Sequence, residues 1–109
     1  PRARVLLVGY LRIVPDSGDC PLLRMTETMR ANAMKVELSL TSALRQAAKA
    51  ADVEFVDVRG ISQGHDVCAG KNAWVNGTAN VPGDGFLLHP NKAGMRAVTA
   101  RVLQVIGDS

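Results

Sequence analysis

Four side chains in this sequence could do chemistry: the imidazoles of His65 and His89 and the thiols of Cys20 and Cys68. An imidazole titrates near neutral pH, so it can take a proton from a hydroxyl and return it to a leaving group. His89 has the setting such a base needs. It stands where a long loop meets a helix, in Leu88-His89-Pro90-Asn91, so that the loop can carry the ring into a cleft while the helix anchors it. Gly83 and Gly85, just upstream, permit a tight approach of the backbone. His65 with Asp66 spells a second imidazole and carboxylate pair. The cysteines lie among loop-forming residues, in Asp-Ser-Gly-Asp-Cys-Pro and Gly-His-Asp-Val-Cys-Ala-Gly, which suits one disulfide and an oxidising compartment; two free cytosolic thiols are the other reading. No second close ligand pair accompanies them, so no metal site and no cofactor is expected. Asn76-Gly77-Thr78 is a glycosylation acceptor, without meaning in a bacterial source.

The elements that must position these groups follow from the apolar pattern. The chain has 109 residues, 47% hydrophobic and 21% charged, which is enough for one small domain or part of a larger one and excludes a disordered chain. No apolar run approaches the ~20 residues that span a bilayer. The net charge is +3, but the thirteen Lys and Arg are scattered and aromatics are few, so no nucleic-acid partner is expected. Arg4 to Gly9 is a nearly continuous aliphatic run, as in a parallel strand buried on both faces. Met25, Met29, Ala33, Val36, Leu40, Ala43, Leu44, Ala47 and Ala51 then recur at helical steps, predicting one helix over about Leu22 to Ala51. Arg30, Lys35, Glu37 and Arg45 fall mostly on its wet side. Val53 to Val58 predicts a second strand, giving a βαβ unit with parallel strands. From Arg59 to Leu88 regular pattern stops, in a glycine-rich stretch of the length that is usually functional or disordered; Trp74, Val75, Phe86 and Leu87 give it apolar anchors. Pro90 then stands near the first turn of a last helix ending at Gly107, with Ala93, Ala97, Val98, Val102, Val105 and Ile106 facing inward.

Two parallel strands are too few. Such sheets are normally several strands wide and covered on both faces, so the chain reads as the C-terminal part of a doubly wound α/β domain. Its earlier strands would come from another segment or from a partner chain. The strand ending in Gly9-Tyr10, the long helix bearing Asn32, Gly64-His65-Asp66-Val67-Cys68, Trp74-Val75-Asn76-Gly77 and Leu88-His89-Pro90-Asn91-Lys92-Ala93-Gly94-Met95 together resemble the C-terminal half of secreted bacterial SGNH (GDSL-type) esterases and lipases. The resemblance implies a three-layer, flavodoxin-like α/β fold over residues 1–109 and hydrolysis of carboxylic esters through a Ser-His acyl-enzyme mechanism. It also implies a secreted or cell-envelope protein, with no signal peptide in this chain. His89 takes the place of the general base, Cys20 and Cys68 those of a late disulfide, and His65 with Asp66 a structural position. Trp74, Leu87 and Leu88 are candidates to line an acyl-chain cleft, core packing being the other reading.

Two departures from that pattern matter. Many members carry an Asp three residues before the His, where this chain has Phe86; some secreted members use a main-chain oxygen there instead. The Phe86 carbonyl is therefore the expected orienter of His89, with Asp84 as the alternative. A neutral acceptor stabilises an imidazolium less than a carboxylate does. The second departure is that the Gly-Asp-Ser block of the nucleophile does not occur after a buried strand. Gly107-Asp108-Ser109 trails the last helix, and Ser17 has no apolar strand running into it. The chain is thus expected to supply the base but not the nucleophile, to need the N-terminal half of the domain, and to be inactive alone. The rival from another class is a non-catalytic α/β binding or assembly module. A dinucleotide-binding domain would need Gly-x-Gly-x-x-Gly after the first strand, and Tyr10 to Val14 has no glycine.

Overall fold

The computed structural model describes residues 3–107, so Asp108 and Ser109 of the terminal triplet lie outside the described residues. Strand β1 (Leu6–Val8), helix α1 (Glu27–Ala50), strand β2 (Glu54–Val56) and helix α2 (Lys92–Gly107) follow in order, with short 3-10 turns at Gly60–Ser62 and Gly70–Asn72. β1 and β2 pair in parallel, Leu6 opposite Glu54 and Val8 opposite Val56, with α1 as the crossover. Leu11, Val14, Leu23, Val56, Val58, Val67 and Val75 form the core, against which Val98, Val102 and Val105 of α2 pack. Ile106 is more open than the expected inward stripe would have it.

Helix α1 starts five residues later than the apolar spacing predicts. Arg24 takes a left-handed backbone, φ 54°, and Leu23 N–H donates to Cys20 O in a turn, so Leu22 and Leu23 belong to the loop. Thr26 is the cap: its Oγ1 accepts from Met29 N–H at 3.1 Å. At the other end Asp52 is left-handed, φ 56°, and Val53 N–H and Asp52 N–H return to Ala48 O and Lys49 O, which closes the helix with a Schellman motif.

The faces of α1 also differ from expectation. Met29, Val36 and Leu40 of the predicted inward stripe are exposed, Val36 by 66%. Twenty-four residues make a helix about 36 Å long, whereas three-residue strands reach only about 10 Å, so the sheet covers only part of the stripe. Conversely Arg30, predicted wet, is only 6% exposed: it pairs with Glu27 and donates to Pro15 O at 2.9 Å. Glu37, seven residues on and so on the same face, is drawn in too, its Oε1 accepting from Ile13 N–H at 2.6 Å.

Helix α2 begins after Asn91, not at Pro90. Asn91 Oδ1 accepts from Gly94 N–H at 2.9 Å while its Nδ2 donates to Ala73 O at 2.8 Å, so one buried side chain caps the helix and ties it to the preceding loop. A Cβ on Gly94 would lie 2.1 Å from Trp74 O, so only glycine lets the helix approach that closely. At its far end Arg4 donates to Val105 O and Ile106 O while pairing with Glu54, which joins the helix C-terminus to β2. The irregular stretch between β2 and α2 is held by the Cys20–Cys68 disulfide, with Cα atoms 5.6 Å apart, the pairing the resemblance implies.

Candidate active site

His89 is positioned by the segment on either side of it. Asn76 N–H donates to His89 O at 2.9 Å and Asn91 N–H to Trp74 O at 3.0 Å, so Val75 and Pro90 form an antiparallel bridge that fixes the chain on both sides of the ring. Leu88 is left-handed, φ 53°, a costly conformation for a residue with a side chain. It is held there by its N–H, which donates to Gly77 O at 2.9 Å. The kink turns Leu87 O back toward the ring, and His89 Nδ1 lies 2.7 Å from it. A carbonyl can only accept, so Nδ1 carries the proton and in the neutral ring Nε2 presents a lone pair. None of the described hydrogen bonds engages Nε2. The ring is exposed and borders a groove of about 310 Å³ walled by Tyr10, Leu11, Ile13, Val75, Leu88 and Pro90.

The carbonyl that meets His89 Nδ1 is therefore one residue later than the expected Phe86 O. Phe86 O is already occupied: it accepts from Asn76 Nδ2 at 3.2 Å and, more weakly, from His89 N–H at 3.4 Å. The Phe86 ring stands edge-on to the imidazole, centroids 6.4 Å apart, and is 69% exposed. Asp84 does not reach the ring; its Oδ1 accepts from Lys92 N–H at 2.8 Å, at the N-terminus of α2 where a carboxylate is favoured.

Of the three proposed cleft residues, Leu88 borders the groove, while Leu87 is exposed outside it. Trp74 lies elsewhere, stacked on His65 with centroids 3.7 Å and planes 7° apart. His65 Nδ1 lies 2.7 Å from Asn72 O, and Asp66 Oδ1 accepts from Cys68 N–H, so neither forms a pair with the other. Ser62 is buried, joined to Arg12 N–H and Arg59 O, and Ser17 is exposed; among the described residues no serine hydroxyl is hydrogen-bonded to His89.

The groove wall rests on buried charge that sequence reasoning placed in solvent. Glu37 holds Ile13, and burial pushes its carboxyl above the ordinary value, against the pull of the Ile13 N–H and of Arg59, whose Nη2 is 4.0 Å from Glu37 Oε2. Arg12, itself buried, pairs with the exposed Asp16. The part played by the buried asparagines is not visible in the sequence either. Asn76 is 6% exposed and carries three of the bonds around His89, though in the sequence it shows only as a sequon and as a member of the Trp74-Val75-Asn76-Gly77 block.

No family model matches the chain. Lipase 2 of Streptomyces coelicolor is 30% identical over 125 residues, covering 98% of this chain and 37% of that protein. Lipase 1 of the same organism is 33% identical over 94 residues, covering 86% of this chain and 34% of that protein. The chain thus spans about a third of the length of the curated relatives it matches. A crystal structure of phospholipase A1 from Streptomyces albidoflavus NA297 superposes with a TM-score of 0.78 and 24% identity, over 94% of this chain and 42% of that one. Along nearly its whole length the chain is thus a relative of the Streptomyces lipases, and it has the α/β fold of the matching part of the phospholipase.

Proposed function

We propose that the chain is the base-bearing, C-terminal portion of an SGNH-type hydrolase that cleaves carboxylic esters by a Ser-His acyl-enzyme mechanism. His89 Nε2 takes the proton of a serine hydroxyl and returns it to the leaving alkoxide. Leu87 O holds the opposite nitrogen and so keeps the ring in the tautomer that can accept a proton. The serine and the oxyanion donors come from the N-terminal half of the same domain, in the same polypeptide or a second chain, and residues 1–109 alone are inert. The apolar groove beside His89, with Leu88 on its wall, takes the acyl part of the ester. The disulfide fits a secreted or cell-envelope protein. The observation that carries this reading is the exposed imidazole held by a main-chain carbonyl at 2.7 Å on the border of that groove.

Fluorophosphonate labelling of the full-length protein tests it. The wild type should become covalently labelled and His89→Ala should not. A wild type that resists the reagent, or a His89→Ala variant that reacts as fast as wild type, overturns the assignment in favour of a non-catalytic module.

A further inference from the structure

The mismatch between expected and observed orienter has a visible cause. Three main-chain carbonyls, those of Asp84, Phe86 and Leu87, converge on the His89 side of the loop. Asn76 Nδ2 has two N–H donors and spends them on Asp84 O at 3.0 Å and Phe86 O at 3.2 Å. Its backbone N–H holds His89 O at 2.9 Å. One residue therefore grips the carbonyl frame before the ring and the carbonyl of the ring-bearing residue itself. Gly85 makes the grip possible: φ is 111°, and a Cβ there would sit 3.3 Å from Asn76 Nδ2 and 3.1 Å from Pro90 O.

We infer that Asn76 is a positioning residue that selects Leu87 O as the partner of His89 Nδ1, by filling the competing Phe86 carbonyl and fixing the loop that presents Leu87. The side chain does not touch the ring; it acts through the two carbonyls. A base role for His89 gives the selection its chemical meaning, but the selection is a statement about pairing and can be tested without turnover.

The chain holds two histidines, and each has its Nδ1 at 2.7 Å from one carbonyl, His89 on Leu87 O and His65 on Asn72 O, so His65 is an internal control. A bond from a cationic ring is stronger than one from a neutral ring, so the partner's carbonyl carbon shift should follow the ring's titration. In uniformly 13C,15N-labelled protein, the Leu87 carbonyl carbon should track His89 and the Asn72 carbonyl carbon should track His65. In Asn76→Ala the Leu87 response should be lost while the Asn72 response persists. If Leu87 still follows His89 in Asn76→Ala, the inference is overturned. If both responses vanish together, Asn76→Ser decides, because its hydroxyl keeps one donor facing the same carbonyls on a shorter arm. A weakened Leu87 response with an intact Asn72 response then supports selection, whereas an unchanged Leu87 response, or loss of both again, overturns it. Failed fluorophosphonate labelling with the pairing result intact would remove the esterase reading and leave this one standing.

Discussion

The two histidine-bearing segments, 60–74 and 76–91, use the same local device to different ends. In each, an imidazole Nδ1 meets a main-chain carbonyl at 2.7 Å. In the first the ring is half-buried and stacked flat on Trp74, and the loop around it is fastened by the disulfide at Cys68. In the second the ring is exposed on a groove, and the residue before it is strained into the left-handed region. A carbonyl partner fixes a tautomer; it does not by itself make a base. The free nitrogen must also face open space, and the backbone must be held by groups other than the ring.

The contrast predicts its own sharpest test. In the full-length protein His89→Ala should lower fluorophosphonate labelling by several orders of magnitude, whereas His65→Ala should leave labelling close to wild type and cost about 1 to 2 kcal/mol in denaturant unfolding. Equal losses in labelling would erase the distinction. The next effect belongs to the first segment. Replacing Cys20 and Cys68 with Ser opens a loop of 48 residues, worth about 4 kcal/mol on the chain-entropy model, and should loosen the His65 and Trp74 stack before it disturbs His89. Trp74 fluorescence for the stack and the Leu87 carbonyl carbon shift for His89, followed together through urea unfolding, read that order.

A smaller effect separates capping from orienting in the second segment. Asp84→Ala removes the acceptor for Lys92 N–H and should cost about 1 kcal/mol with labelling near wild type. A collapse of labelling would make the carboxylate the orienter after all. The smallest effect concerns Ile13, which joins the two segments, since its O accepts from Val67 N–H and it walls the groove at His89, while Glu37 holds its N–H. Burial raises the Glu37 carboxyl above its ordinary 4.5. The fold therefore prefers the protonated acid, and that contribution is full below 4.5 and declines as pH rises through the higher folded value. Glu37→Gln stays neutral and keeps the acceptor for Ile13, so its stability relative to wild type should improve as pH climbs from below 4.5 to neutral; an unchanging gap refutes this.

What the sequence made legible divides along the same line. β1, α1, β2 and α2 are visible because aliphatic runs and three- and four-residue steps follow from backbone geometry alone. The place of His89 at the loop and helix junction is visible through a local block of residues. Which carbonyl it faces is not, because that depends on the left-handed Leu88 and on Asn76, which lies eight and ten positions from the carbonyls its side chain holds and is marked by no periodicity. Trp74 reads as a cleft residue by type, yet its face is taken by His65. Arg30 and Glu37 read as wet because charge usually is; here loop carbonyls and amides needed partners on that face of α1. Met29, Val36 and Leu40 read as core because the pattern cannot reveal that the strands are too short to cover the helix.

The buried Asn76 bears on how the protein is produced. In a eukaryotic secretion host, Asn76-Gly77-Thr78 passes the glycan-attaching machinery while still unfolded, and a sugar placed there would replace a donor that two carbonyls require with a bulky group in a closed space. Modified chains should fail quality control, so yield in such a host should fall. Thr78→Ala, which destroys the acceptor sequence at an exposed position and leaves the amide untouched, should restore it.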